Sequence, residues 1–187
     1  SDTLISRQQT LIRDLKSSNN HQKALDYHFK ALKIAEETKN NDSIIFILNK
    51  IGDIYLTISS YPQALDSYFK ILSIAEKTGN ISEIATARGN IGRVFAFQRD
   101  FKKALEYNLN ALKTFQELKN DSKAAICLAN IGNVYWNLKD YTKALEYHLK
   151  ALTIDNNIKN NDEIVREYIN IGAIYGEQAK ANQSLNT

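Results

Sequence analysis

The chain has 187 residues, 43% hydrophobic and 24% charged, a balance that excludes an extended disordered polymer and is enough for a folded domain with a sizeable core. A net charge of +3 with no block of like charges is too small and too dispersed to read as a nucleic-acid interface. The single cysteine, Cys127, excludes an internal disulfide framework and a cysteine-rich metal site, and the longest purely apolar run, Ile44–Leu48, is far short of the roughly 20 residues of a membrane-spanning helix.

In chain order, residues 1–20 predict a first helix A, with Leu11 and Leu15 in phase with Ile51 and Tyr55 further on, and Ile12 standing where later units have glycine. This degenerate copy reads as a cap. Residues 21–40 predict its partner, helix B1, beginning with "KALDYHFKALKIAEETKNN" at Lys23. Three complete units follow at 41–80, 81–120 and 121–160, each a pair of antiparallel helices A and B of roughly 16 residues. A last helix A is expected over 161–180, and 181–187 reads as a tail or the start of a further unit, with Ser184 where Ala144 stands earlier.

Apolar residues of the fourth B segment fall at Tyr141, Ala144, Leu145, His148, Leu149 and Leu152, the spacing of a helix with one buried stripe. Breaks come at "KNND" (39–42), "TGNIS" (78–82), "KNDS" (119–122) and "KNND" (159–162), each carrying residues able to cap the next helix. Tighter turns are expected at "SSYP", "RDFK" and "KDYT"; the one proline, Pro62, falls in a first helical turn, where its missing N–H matters little.

The hexapeptides "KIGDIY", "NIGRVF", "NIGNVY" and "NIGAIY" begin at Lys50, Asn90, Asn130 and Asn170, a period of 40 residues. A mid-helix glycine costs about 1 kcal/mol relative to alanine, so the four copies imply a close approach that a methyl group would block. Gly52, Gly92, Gly132 and Gly172 are expected to admit helix B at its recurring small residues Ala24, Ala64, Ala104 and Ala144, with Tyr55, Phe95, Tyr135 and Tyr175 filling the space beside them.

Glycine, an aromatic three on, alanine twelve on and usually a second alanine seven beyond that resemble the tetratricopeptide repeat, over essentially the whole chain. Two departures are a period of 40 against the commoner value of about 34, and a missing proline at the end of helix B. The longer form resembles that of spindle-orientation adaptors and of bacterial signalling proteins. The resemblance implies an all-α solenoid, a right-handed superhelix whose A helices line a groove for a segment of another protein.

Carried onto this chain, the family's inward position two before the glycine holds Lys50, Asn90, Asn130 and Asn170. An Asn amide offers donor and acceptor together and can bind a peptide backbone whatever its side chains. Helices about 10 Å apart and a peptide advancing about 3.3 Å per residue would let one Asn meet roughly every third residue; bonding within the helix stack is the alternative use. The position after the glycine gives Asp53, Arg93, Asn133 and Ala173, further inward positions add Asn49, Asn137 and Arg166, and Phe46, Leu56, Phe97 and Trp136 are candidate apolar anchors unless the longer helices turn them into the core. Arg13, Lys16, Lys50, Arg93 and Arg166 against Asp53 and Glu177 give 5 − 2 = +3, so an acidic partner, or one ending in a carboxylate, is expected.

No chemistry competes with this reading. His28 and His148 share the phase of Tyr68 and Asn108 on helix B, a packing position, so no metal or other cofactor is expected. Cys127, among Ala124, Ala125 and Leu128, reads as a small buried hydrophobe, and no nucleophile–base or carboxylate pair stands out, so an enzyme is not expected. The expected function is a protein-interaction scaffold; a sensory or self-associating region of a larger signalling protein, joining through its terminal helices, is the alternative. With no methionine and no signal-peptide order at its start, the chain reads as a piece of a longer, cytoplasmic protein, although a cleaved signal would leave the same sequence.

Overall fold

The computed structural model describes the backbone of residues 2–185 and the side chains of residues 19–181. The side chains of Leu11, Ile12, Arg13, Leu15, Lys16 and Ser184 lie outside this range. Among the described residues the fold is all-α, with eight helices: α1 (Asp2–Glu37), α2 (Asn41–Thr57), α3 (Tyr61–Thr78), α4 (Ile81–Phe97), α5 (Phe101–Glu117), α6 (Asp121–Asn137), α7 (Tyr141–Ile158) and α8 (Asn161–Leu185). The chain forms two compact units, Ser1–Ile74 and Ala75–Thr187.

Two turn designs, set by local sequence, separate the helices. In one, Lys39, Lys119 and Lys159 take a left-handed conformation, with Gly79 at the same place in the second turn. The Asn that follows three of these residues caps the next helix: Asn40, Asn80 and Asn120 accept hydrogen bonds from the backbone N–H of Ser43, Glu83 and Lys123. In the other design, Ser59, Arg99 and Lys139 are left-handed. Asp100 and Asp140 then cap α5 and α7 by accepting from the N–H of Lys103 and Lys143, and an aromatic residue opens the helix.

Both ends of the chain differ from expectation, for one reason. The turn expected near residue 20 is absent: α1 runs unbroken from Asp2 to Glu37 instead of dividing into 1–20 and 21–40. Likewise α8 does not stop at residue 180 but continues to Leu185. The internal turns pair Ser60 or a capping Asp with an aromatic, as in Ser60–Tyr61, Asp100–Phe101 and Asp140–Tyr141; the ends have Asn20–His21 and Lys180–Ala181, with no aromatic at that place.

In the first unit α1 packs on α2, and the core gathers Leu25, Leu32, Leu48, Ile51 and Tyr68. In the second, α4 pairs with α5 and α6 with α7, while α5 also packs on α6 and α7 on α8. Its core runs through Ala85, Ala111, Phe115, Leu128, Ile131 and Ala151.

The glycine notch is filled differently from the sequence reading. Its occupant is the side chain four residues beyond the recurring alanine. A Cβ on Gly52 would lie 2.7 Å from the Tyr68 ring, one on Gly92 3.0 Å from Asn108 Cγ and one on Gly132 2.7 Å from the His148 ring. Tyr68, Asn108 and His148 are fully buried. Beside the notch Phe95 stacks on Tyr107 with centroids 5.6 Å apart, and Tyr135 on Tyr147 at 5.5 Å. Gly172 alone of the four has nothing within 4 Å.

The four glycines therefore respond differently to one methyl group. Gly132→Ala gains about 1 kcal/mol of helix propensity but overpacks His148 by about 1–3 kcal/mol, so its thermal midpoint should fall. Gly172→Ala should raise it, because only the propensity term acts. Thermal melts followed by circular dichroism check both signs.

Candidate functional site

In the second unit the 40-residue period places equivalent positions of α4, α6 and α8 on one face. There Asn90, Asn130 and Asn170, all half-buried, line a single cavity of about 360 Å³ together with Arg93, Asn133 and Arg166. A second cavity of about 460 Å³ shares Arg93, Asn130 and Asn133 with it and extends to Phe97, Trp136 and Asn137. Phe97 is exposed and Trp136 half-buried, so both reach the surface. The two cavities give a groove with amides at its centre and aromatic rings at one end.

Hydrogen bonds hold part of this surface in place. Asn130 Nδ2 donates to Asn108 Oδ1 at 3.3 Å, while Asn108 Nδ2 donates to the Ala104 carbonyl at 2.8 Å. Asn130 is thus tied to the stack. Asn137 Nδ2 donates to the Asn133 carbonyl at 2.8 Å. Lys123 Nζ donates to Thr86 Oγ1 at 2.8 Å and stands 5.4 Å from the centre of the Phe115 ring.

Electrostatically the first cavity is more balanced than expected. Arg93, Lys123 and Arg166 face Glu163 and Glu167, so its lining carries 3 − 2 = +1, and Arg166 pairs with Glu163 at 3.2 Å. Sequence reasoning missed Lys123, Glu163 and Glu167. The first two stand one helical turn before the inward positions considered, so extending the register by three residues would have found them. Glu167 had its own signal: it occupies the phase of Ile47, Ala87 and Cys127, where a carboxylate has no place unless paired. Its Oε2 lies 2.6 Å from Nδ1 of the fully buried His148.

The remaining expected residues lie on α2 in the first unit. Phe46 is exposed, with the Lys50 ammonium 5.3 Å from its ring centre. Asn49 Nδ2 donates to the Ile45 carbonyl at 3.1 Å, Asp53 Oδ1 accepts from the Tyr68 hydroxyl at 2.8 Å, and Leu56 is half-buried. Asp53 is therefore engaged in holding the notch residue of its own unit.

Among the described residues no group of three or more His, Cys, Asp or Glu could hold a metal ion. Burial pushes the Cys127 thiol up to about 12, which keeps it un-ionised and unreactive at neutral pH. The Asp155 carboxyl on α7, 2% exposed and with Oδ1 unpartnered, is pushed up from 3.8 to about 6 by burial and then by Glu163 and Glu167.

No helix is long and apolar enough to cross a membrane among the described residues. Residues 83–157 match the tetratricopeptide repeat family, and this stretch is a tetratricopeptide-repeat array. No curated protein matches the chain by sequence. Among solved structures, BtubC from P. vanneervenii is 25% identical with a TM-score of 0.73, over 88% of this chain and 68% of that one. A Rap protein complexed with competence and sporulation factor superposes with a TM-score of 0.77 at 20% identity, over 91% of this chain and 48% of its own. The Rap conjugation regulator of plasmid pLS20, in complex with the Phr* peptide, gives 0.65 at 18%, over 77% and 40%. The fold is thus an all-α helical-repeat solenoid, and the chain spans less than half the length of these two Rap structures.

Because the folded-state value of Asp155 is raised, its neutral form is the one the fold favours. Its contribution is fully present below about pH 4 and lost as pH rises through about 6. Asp155→Asn should therefore raise the thermal midpoint at neutral pH and leave it nearly unchanged in acid, as a pair of melting curves would show.

Proposed function

We propose that the chain is a protein-interaction scaffold that takes an extended segment of a partner protein along the α4–α6–α8 face, with recognition as its whole mechanism and no covalent chemistry. The observation that carries this reading is the convergence of Asn90, Asn130 and Asn170 on one cavity. Amides repeated along an open groove meet the donor and acceptor pattern of a peptide backbone, which supplies affinity without reading sequence. Phe97 and Trp136, at the end of the adjoining cavity, offer apolar anchorage for one side chain of the segment. The excess of one positive charge among the lining residues favours an acidic segment or a terminal carboxylate. The bound factor and peptide of the two Rap structures support the same class of function. That the match covers only 48% and 40% of those chains supports a second reading, a sensory segment of a larger signalling protein, in which the same groove would receive the input.

Peptides selected from a displayed random library against the wild-type chain provide the test. Replacing Asn90, Asn130 and Asn170 by Ala together should weaken their binding at least about tenfold, as expected for the loss of several hydrogen bonds. Asn130→Ala alone removes its 3.3 Å bond to Asn108, and its melting temperature gives the scale of change to expect from loss of a bond within the stack. Unchanged affinity, or a loss of affinity matched by a loss of fold, would count against a groove built on these amides.

A further inference from the structure

The two terminal helices carry complementary halves of one unit. In the internal units an A helix presents its glycine notch, an aromatic and small or apolar residues to the following B helix, and α8 presents the same row with no described residue over its notch. Val165, Tyr168 and Ile169 are exposed, Tyr175 is 55% exposed, and Gly172 has nothing within 4 Å. Their counterparts on α6, Ala125, Leu128, Ala129, Tyr135 and Gly132, are buried or half-buried under α7. Conversely, the second half of α1 is a B-type helix that packs on α2, and among the described residues no A helix covers its other side. Tyr27 is 72% exposed and Ile34 63%, while Tyr147 and Ile154, at the same phase of α7, are half-buried.

We propose that a second copy of this chain covers the open face of α8 with the His21–Glu37 part of its α1, completing one mixed unit from two molecules. Gly172 and Tyr175 on α8 have counterparts on α1 at the phases that pair in the internal units. The notch at Gly172 accepts His28, which stands at the phase of Tyr68, Asn108 and His148. Tyr27 stacks on Tyr175 as Tyr107 does on Phe95 and Tyr147 on Tyr135.

The charges also match. In the second unit a lysine from the first turn of helix B covers the A-helix aromatic, Lys103 at 4.9 Å from the Phe95 ring centre and Lys143 at 5.1 Å from that of Tyr135. Lys23 holds that position on α1, and Tyr175 offers the uncovered ring face. Tyr27 is already set on its own helix as the internal tyrosine is: Lys30 stands 5.2 Å from its ring centre, against 5.3 Å for Lys150 and Tyr147. The contact joins unlike faces, so it leaves one α1 and one α8 open in every pair and propagates head to tail.

Sedimentation of the 187-residue chain over a wide concentration range tests this, with two variants that alter exposed positions only. Gly172→Leu fills the notch and Tyr27→Glu puts a charge in the stack; at concentrations low enough for the wild type to be monomeric, both should melt about as it does. The wild type should grow past a dimer as concentration rises, and each variant alone should stay monomeric. An equimolar mixture of the two should form a dimer and nothing larger, because only one intact α1 and one intact α8 remain to meet. A wild type that stays monomeric throughout would overturn the proposal and assign the α8 face to a different protein or to a helix of a longer form of this chain. A mixture that stays monomeric while the wild type associates would overturn it too, by showing that the association uses other surfaces.

Discussion

The close approach of helix A to helix B at the repeated glycine is the constraint on which the rest of the structure depends. With a side chain on Gly132 the His148 ring would have to move, and with it the contact through which α7 meets α6. The same holds for Gly52 with Tyr68 and for Gly92 with Asn108. Three chemically different side chains fill equivalent notches, and each brings its own polar partner: Asp53 for Tyr68, Asn130 for Asn108, Glu167 for His148. Burying a polar group without a partner costs a few kcal/mol, so notch and partner act as a matched pair within each unit.

That pairing links packing to the surface. Asn130 lies two residues before its glycine, and the 40-residue period sets Asn90 and Asn170 at the same phase of α4 and α8. The face they share is thus a by-product of stacking, while the residues between them vary from unit to unit: Arg93, Asn133, Phe97 and Trp136. In the second unit a row of amides thus stands beside side chains that vary from unit to unit. At the α8 end the same face passes into Glu167, whose Oε2 lies 2.6 Å from Nδ1 of the buried His148.

The repeats were legible because their signals are local and periodic. A stripe at helical spacing, an Asn or Asp cap before α2, α4, α5, α6 and α7, and a glycine every 40 residues each have one structural meaning, and six internal elements from α2 to α7 follow them. The ends were not legible in the same way. A break near residue 20 was expected from alignment with later units, yet Asn20–His21 lacks the aromatic that makes the turn fold, and α1 stays continuous. The notch was legible as a close approach but not in its occupant, since Tyr68, Asn108 and His148 share phase and not chemistry. Of the groove, the asparagines, Arg93, Asn133, Phe97 and Trp136 were legible from register. Lys123 and Glu163 lay one turn outside the positions read, and the role of Glu167 depends on a partner 19 residues away.

The central claim is that one face of the repeat array, the side of α4, α6 and α8, is where a partner's peptide lies. Hydrogen exchange of the chain with and without a library-selected peptide tests it most directly, because protection reports where a ligand shields and stiffens the backbone. The account predicts slowed exchange in the segments of α4, α6 and α8 around Asn90, Asn130 and Asn170. Protection confined to α5 and α7 would contradict it, and would leave the asparagines as part of the stack alone.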